Sequence, residues 1–357
     1  MAGKALIAMS GGVDSSVSAL LAKNSGYDCV GVTMRLFDND DVGELREDSC
    51  CSLRDADDAR QVTRTLDIPF YVFNFASQFR VEVIDRFVSA YENGITPNPC
   101  IDCNRYIKYD SLYQRMKQMG FDTLVTGHYA RIEEDVTTGR WLLRRAIHEE
   151  KDQSYVLYML SQEQLAHTFF PLGALPKSEV RKIAEENGFY NAQKRDSQDI
   201  CFVQDGRYVD FIETYTGKRY PKGYFRNETG EILGEHEGIV RYTIGQRKGL
   251  GTTFGKPMYV KDIRKDTNEV ILAENFALFQ TEVFAEHINL ISVESLAEPM
   301  RVTAKIRYNQ EAKPALAVQV DKDRLHVVFD DPVRAVTKGQ ALVLYDGDIV
   351  VGGGTIL

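Results

Sequence analysis

Apolar and polar positions alternate between two periods in the first third of the chain. Ala5–Ala8 is a continuous apolar run, typical of a buried strand, and Val17, Leu20 and Leu21 follow it at helical spacing. The same pattern predicts strands at Cys29–Met34, Phe70–Phe73 and Leu124–Val125, and helical stripes at Ala56, Ala59, Val62 and Leu66 and at Phe79, Val83, Phe87 and Tyr91. This alternation predicts an α/β fold, with a parallel sheet covered by helices and connected by right-handed crossovers.

The pattern changes near residue 208. Short strands separated by turn residues are predicted from there to the end, at 224–226, 231–233, 259–260, 270–272, 302–306, 316–320, 325–329 and 341–345. Helices are expected before this point, including one over Ser178–Asn187 that Gly188 ends. We therefore predict an α/β domain over residues 1–207, a small β-rich central domain over 208–280 and a C-terminal β-barrel over 281–357.

Composition narrows the class of protein. The 357 residues are 43% hydrophobic and 27% charged, as expected of a globular protein with a proper core. No apolar run reaches membrane-spanning length, and the start carries no signal-peptide pattern, so we expect a cytoplasmic protein without a membrane partner. The formal net charge of −9 argues against a protein whose whole surface binds nucleic acid, but it permits one local basic face that does.

A glycine-rich turn joins the first strand to the first helix. The segment Ala8-Met9-Ser10-Gly11-Gly12-Val13-Asp14-Ser15-Ser16 combines backbone that can approach a ligand closely with the free N–H groups of a helix start. Such a turn favours phosphate, and Mg²⁺ between the phosphates and Asp14 would balance the carboxylate. Met34 and Gly127 lie at the carboxyl ends of other predicted strands, where ligands of parallel sheets bind.

The cysteines indicate sulfur chemistry more strongly than a metal. Cys100 and Cys103 form a C-x-x-C pair in a proline- and asparagine-rich loop, and no further pair at ligand spacing completes a zinc site. Cys103 is predicted at the start of a helix beside Arg105 and Lys108, a setting that would lower its pKa and favour the thiolate. Cys201 lies in an acidic stretch. Cys29 is expected to be buried, and Cys50 and Cys51 receive no role.

Six motifs together indicate a family. Ser-Gly-Gly-Val-Asp-Ser-Ser resembles the PP-loop of ATP pyrophosphatases, which cleave ATP between its α and β phosphates. It is followed in order by Gly-Ile-Thr-Pro-Asn-Pro-Cys-Ile-Asp-Cys-Asn, Thr-Gly-His-Tyr-Ala-Arg, Lys-Asp-Gln-Ser-Tyr, Ser-Gln-Asp-Ile-Cys-Phe and Thr-Ile-Gly-Gln-Arg-Lys-Gly-Leu. The whole chain thereby resembles the bacterial tRNA-specific 2-thiouridylase family, and the α/β domain would be a PP-loop catalytic domain.

The resemblance implies a two-step reaction on tRNA. The family uses ATP to adenylate the 2-carbonyl oxygen of the wobble uridine in tRNAs for Lys, Glu and Gln, and then replaces that oxygen with sulfur. Cys201 matches the persulfide carrier, loaded by a cysteine desulfurase or a sulfur-relay protein, and Cys103 matches the catalytic nucleophile. Their reaction would leave a Cys103–Cys201 disulfide that a reductant must reopen.

The resemblance also assigns binding residues. The positions that match the ATP site are Ala8, Met9, Ser10, Gly11, Gly12, Val13, Asp14, Ser15, Met34 and Gly127. The positions that match contacts to the target base or to tRNA are Asn98, Pro99, Cys100, His128, Lys151, Asp152, Gln153, Arg307, Tyr308 and Gln340.

One position departs from the family pattern. Some members carry Asp, a proposed acid–base group, where this chain has Cys100, so that role is vacant or is filled by Asp102 or water. The three thiols of Cys100, Cys103 and Cys201 also raise the hypothesis of an iron–sulfur cluster. Two other functions stay open at this stage: a PP-loop ATP pyrophosphatase acting on a small molecule, and a non-catalytic RNA-binding module.

Overall fold

The structure, a computed structural model, describes residues 3–37, 53–194, 200–203 and 206–357. The chain divides into two compact units. The first consists of Met1–Val83, Cys100–Arg207 and Asp348–Val350, and the second of Ile84–Pro99, Tyr208–Gly347 and Val351–Leu357. The boundaries 1–207, 208–280 and 281–357 stay a prediction.

A parallel sheet organises the first unit. The strands of this unit are β1 (Lys4–Ala8), β2 (Asp28–Arg35), β3 (Phe70–Asn74), β4 (Thr123–Val125), β5 (Ala130–Asp135), β6 (Arg140–Arg145) and β7 (Thr168–Phe169). The sheet has the order β3-β2-β1-β4-β7, and its pairs are parallel. Because β1 is central, its carboxyl end lies between those of β2 and β4, which confirms the predicted α/β class.

Helices of several kinds connect these strands. The α-helices are Val13–Asn24, Leu53–Thr65, Ala76–Phe79, Arg86–Glu92, Pro99–Asp102, Tyr113–Gln118, Gln162–Ala166, Lys177–Glu186 and Tyr208–Thr216. Arg80–Asp85 and Cys103–Leu112 are π-helical, and Glu149–Lys151, Ser154–Leu157, Ile239–Arg241 and Asn275–Leu278 are 3₁₀-helical. Ile7, Val17, Val62, Val125 and Val180 belong to one buried core cluster, so β1, β4 and three helices share a single apolar interior.

A β-hairpin occupies part of the stretch that the sequence predicts to be helix-rich. β5 and β6 pair antiparallel, with Ile132 opposite Leu143. Asp135 Oδ1 accepts the N–H of Thr137 at 2.9 Å, and Gly139 adopts φ +70°, so the turn between the strands has its own side-chain and glycine signals. Arg144 donates to Asp348 at 2.7 Å, which fastens Asp348–Val350 to the hairpin.

The second unit is rich in β structure, as predicted. β8 (Gly223–Arg226), β9 (Ile232–His236), β10 (Tyr259–Arg264) and β11 (Glu269–Ala273) form a sheet of order β10-β11-β8-β9. β12 (Phe279–Leu290), β13 (Met300–Lys305), β14 (Lys313–Asp321), β15 (Arg324–Arg334), β16 (Ala341–Asp346) and β17 (Ile349–Ile356) follow. Their order is β12-β15-β14-β13-β16-β17, and β12 also pairs with β17, which closes the predicted barrel. Within the described residues no helix is long and apolar enough to cross a membrane.

Candidate active site

The turn after β1, residues 8–16, is the predicted phosphate-binding turn, and glycine and serine residues hold its shape. Gly11 adopts φ +73°, and a Cβ at this position would collide with the backbone of Asp55, so only glycine fits. Gly12 precedes the helix Val13–Asn24, and its carbonyl accepts the hydroxyls of Ser15 and Ser16, each at 3.0 Å. The Ser10 N–H donates to Ser15 Oγ at 3.2 Å. The helix start therefore presents a compact cradle of backbone N–H groups to an anion.

Two residues from distant parts of the chain hold Asp14. Lys177 Nζ lies 2.7 Å from Asp14 Oδ1 and 2.8 Å from Oδ2, and its side chain is 13% exposed. The Tyr129 hydroxyl donates to Asp14 Oδ1 at 2.6 Å. Lys177 begins its helix, so its ammonium and the helix start add positive potential beside the turn. Neither Lys177 nor Tyr129 is predicted from the sequence to be a site residue.

The segment after the helix Lys177–Glu186 braces the turn from behind. The buried Asn191 amide donates to the Gly11 carbonyl and to Ser16 Oγ, both at 3.0 Å. Three residues further on, Lys194 Nζ pairs with Asp55 and with Asp58 at 2.5 and 2.6 Å. The chain that leads towards Cys201 is thus tied to the phosphate-binding turn.

The carboxyl end of β4 lies directly against this turn. A Cβ on Gly127 would come within 2.9 Å of Ser15 N, so glycine is required for the approach. The neighbouring His128 is buried, and its Nδ1 lies 2.7 Å from Thr126 Oγ1. Burial, and then Lys108, lower the pKa of His128 well below its usual value. His128 is therefore neutral at pH 7, and its predicted tRNA contact stays a prediction.

Cys103 differs from its sequence prediction. Cys103 is the first residue of the π-helix Cys103–Leu112, but the short α-helix Pro99–Asp102 directly precedes it, so the helical segment as a whole begins at Pro99. Burial raises the pKa of the Cys103 thiol to about 11, against the lowering effect of Lys108 and together with the raising effects of Cys100 and Asp102. The prediction that local sequence would lower this pKa is wrong, because desolvation outweighs the nearby positive charge.

The four described cysteines differ in their exposure. Cys100 is exposed, Cys103 and Cys201 are half-buried, and Cys29 is buried as expected. Cys201 belongs to the same unit as Cys103, and its neighbour Phe202 packs edge-on against Phe79 with ring centroids 5.7 Å apart. Cys50 and Cys51 lie outside the described residues.

The predicted target-base segment is held from within the second unit. Gln340 Nε2 donates to the carbonyls of Thr96 and Pro97 at 2.9 and 3.1 Å, directly before Asn98 and Pro99. The Thr96 N–H in turn donates to the Lys338 carbonyl at 3.1 Å. The Gln340 side chain therefore positions the predicted target-base segment by holding the backbone of the two residues before it.

The remaining predicted tRNA contacts have internal partners. Arg307 donates to the carbonyls of Ile244 and Ala335, both at 2.9 Å. Lys305 Nζ lies 5.9 Å from the ring centroid of Tyr308. Gln153 Oε1 accepts the Tyr129 N–H at 3.0 Å, so it supports the residue that holds Asp14. These contacts position backbone and side chains, and the RNA contacts stay predictions.

Two further predicted contacts belong to the turn before this glutamine. Asp152 Oδ1 accepts the N–H groups of Ala146 and Ser154 at 3.0 and 3.1 Å, and Lys151 is half-buried.

Met34, a residue of the predicted ATP site, is half-buried, and it lies opposite Phe73 where β2 pairs with β3.

Comparison with known proteins finds matches to the chain over almost its full length. Family models described as the tRNA methyl transferase HUP domain, PRC-barrel domain and aminomethyltransferase β-barrel domain match residues 3–205, 209–274 and 280–356. The tRNA-specific 2-thiouridylase MnmA of Clostridioides difficile is 52% identical over 99% of this chain and 98% of its own. The chain belongs to the tRNA-specific 2-thiouridylase family. The thiouridylase of Lachnoclostridium phytofermentans is 49% identical, with 99% of both chains covered.

Membership of the thiouridylase family decides between the alternatives from the sequence. The relatives match the two β-rich regions as well as the domain with the phosphate-binding turn. A small-molecule ATP pyrophosphatase would share only that turn, and it is not favoured. Three residues that contact the turn after β1 could not be assigned from the sequence, because only the fold brings them to it: Tyr129, Lys177 and Asn191.

Proposed function

We propose that the protein is an ATP-dependent tRNA 2-thiouridylase that converts the wobble uridine of tRNAs for Lys, Glu and Gln to 2-thiouridine. One arrangement supports this best. Gly127, just after β4, lies against the phosphate-binding turn. The next residue, His128, has Nε2 3.4 Å from Nζ of Lys108, which belongs to the helix that begins at Cys103. The predicted ATP site and the helix that begins at Cys103 therefore both have residues next to this strand end.

The first step is adenylation. The uridine O2 attacks the α phosphorus of ATP, a bond forms between them, and pyrophosphate leaves. The N–H groups at the start of the helix Val13–Asn24 would bind the phosphates. Lys177, now paired with Asp14, is the side chain placed to take up the negative charge that develops on the departing pyrophosphate.

Magnesium fits this site with phosphate as its main ligand. Asp14 supplies one carboxylate, and Mg²⁺ commonly binds through one or two carboxylates plus substrate phosphates. The ion would neutralise phosphate charge, and Tyr129 would hold the Asp14 carboxylate in place through its hydrogen bond to Oδ1.

The second step is sulfur transfer. We propose that the Cys103 thiolate attacks Sγ of a Cys201 persulfide and releases the terminal sulfur as hydrosulfide. The hydrosulfide adds to C2 of the adenylated uridine, and AMP leaves with the original oxygen. The two cysteines lose two electrons to the transferred sulfur and become a disulfide, so an external thiol must reduce them before the next cycle.

Sulfur must be delivered to Cys201 by a partner, a cysteine desulfurase or a relay protein. We propose that the reaction takes place in the cytoplasm, where reduced thiols are available to reopen the disulfide. An iron–sulfur cluster does not fit: among the described residues no group of three or more His, Cys, Asp or Glu side chains could hold a metal ion.

Nucleoside analysis tests this function directly. The protein is incubated with ATP, Mg²⁺, a persulfide donor and an unmodified tRNA for Lys, and 2-thiouridine and pyrophosphate are measured. Cys201→Ser should release pyrophosphate but form no 2-thiouridine. Cys29→Ala, which changes a buried cysteine, should release pyrophosphate and also form 2-thiouridine. Absence of tRNA-dependent pyrophosphate release by the unaltered protein would overturn the proposal.

A further inference from the structure

The helix that carries Cys103 is wound in an unusual way. Cys103–Leu112 is π-helical, so its backbone hydrogen bonds join residues five apart, and such residues lie on neighbouring turns near the same face of the helix. Ser111 Oγ donates to the Tyr106 carbonyl at 2.8 Å, a side-chain contact across the same interval of five. Lys108 is the residue five positions after Cys103.

This winding decides where Lys108 lies. In an α-helix of 3.6 residues per turn, a residue five positions on is rotated by roughly 140° around the axis and faces elsewhere. The wider π-helical turn rotates Lys108 less and brings it nearer to the face of Cys103. Because helical side chains lean towards the N-terminus, the Lys108 stem leans back towards the turn that carries Cys103.

His128 holds the Lys108 ammonium without neutralising it. Lys108 Nζ lies 3.4 Å from His128 Nε2, a long contact in which the imidazole nitrogen accepts. Nδ1 then carries the ring proton and donates it to Thr126 Oγ1, 2.7 Å away. Within the part of the chain that the structure describes, no carboxylate forms an ion pair with Lys108.

The groups around Cys103 differ in whether they favour its thiolate, and the Lys108 ammonium favours it. Cys100, Asp102 and burial all disfavour a thiolate at Cys103, and Lys108 is the group that favours one. Arg105 is closer in sequence, but its guanidinium lies 5.9 Å from the Tyr106 ring centroid and interacts electrostatically with Tyr158, Tyr106 and Asp102. An ammonium facing a neutral ring and a thiol gains a partner when the thiol ionises.

We propose that Lys108 is a positioning residue for sulfur transfer, whose ammonium, aligned by the π-helical register and held by His128, pairs with the Cys103 thiolate. The S–H bond breaks with its electron pair on sulfur, and the proton leaves to solvent water. This inference deepens the proposed function and depends on it for the purpose of the thiolate. The pairing itself can be measured without tRNA or ATP.

The test is alkylation of Cys103 by iodoacetamide from pH 6 to pH 10, followed by peptide mass spectrometry that separates Cys103 from Cys100. Lys108→Met should reduce the rate at pH 8 about tenfold, the effect of one pKa unit, while Lys108→Arg should keep it within about threefold. Arg105→Met is the matched control, and it should leave the profile unchanged. Should Lys108→Met fail to fold, Lys108→Gln, which keeps a polar stem, takes its place.

Two outcomes would overturn the inference: a Lys108→Met profile that superimposes on that of the unaltered protein, or an equal shift in Arg105→Met. Either would leave the proposed thiouridylase activity standing, because the assay contains neither substrate. Conversely, failure of the unaltered protein to thiolate tRNA would leave the Lys108–Cys103 pairing measurable by the same alkylation profile.

Discussion

Lys177 Nζ contacts both carboxylate oxygens of Asp14, at 2.7 and 2.8 Å, across a sequence separation of 163 residues. The ion pair is largely shielded, since the Lys177 side chain is 13% exposed. It ties the start of the helix Lys177–Glu186 to the phosphate-binding turn. A charge placed there can act on pyrophosphate without moving into position during the reaction.

Removal of this charge should stop adenylation. Lys177→Met should lower the rate of tRNA-dependent pyrophosphate release by about 10²-fold or more, the scale seen for a lost electrostatic contact to developing charge. Lys182→Met, an exposed lysine on the same helix, is the control and should leave the rate unchanged. Equal rates for Lys177→Met and the unaltered protein would contradict the role of Lys177.

Asn191 should contribute to stability as well as to ATP binding. Asn191→Ala leaves the Gly11 carbonyl and Ser16 Oγ without their donor in a buried setting, at a cost of roughly 1–3 kcal/mol in the free energy of unfolding. Denaturant titration with and without ATP measures both effects. Asn187→Ala, which removes an exposed amide on the same segment, should cost well below this amount.

Gln340 should affect turnover more than tRNA affinity. Gln340→Ala removes two hydrogen bonds to the backbone before Asn98 and should slow 2-thiouridine formation about tenfold through misplacement of that segment. Dissociation constants for tRNA, measured by filter binding, should change little. Gln280→Ala on the exposed barrel surface is the control. Weaker binding with unchanged turnover would instead favour a direct RNA contact.

Neutral His128 makes stability depend on pH in a defined direction. Its pKa in the folded protein lies well below 6.5, so below pH 6.5 the unfolded chain binds a proton that the folded chain does not. The free energy of unfolding should therefore fall as pH drops below 6.5, by up to about 1.4 kcal/mol per pH unit for this group.

Substitution separates this contribution from that of a second histidine. Burial also lowers the pKa of His236, so two groups contribute slopes of the same sign. Urea titrations between pH 5 and 6.5 measure how steeply the free energy of unfolding depends on pH. His128→Gln should lose the contribution of His128 to this slope, whereas His236→Gln should keep it. An unchanged slope in His128→Gln would contradict the prediction.

Local signals explain which parts of the fold and the site could be predicted. The apolar run of β1 and the glycines at Gly11 and Gly12 are adjacent in sequence, and both the strand and the turn were predictable from them. β5 and β6 were missed because arginines, glutamates and an aspartate dominate both strands, which masks the apolar alternation.

The partners of site residues depend on packing that no local pattern encodes. The sequence shows that Lys108 is near Cys103 but not that surrounding elements remove water from the thiol, and this desolvation reverses the expected direction of its pKa shift. The contact of Asn191 with Gly11, 180 positions apart, is equally invisible to spacing rules.

The winding of Cys103–Leu112 makes chain length in this segment as important as residue identity. Loss of a single residue in this segment, with the winding of the rest kept, would turn everything C-terminal to it by roughly 100° about the helix axis, the angle that one helical residue spans. That rotation would take Leu112 out of its buried position. Relatives of this enzyme should therefore vary freely at the solvent-facing positions here, yet align through the segment without gaps.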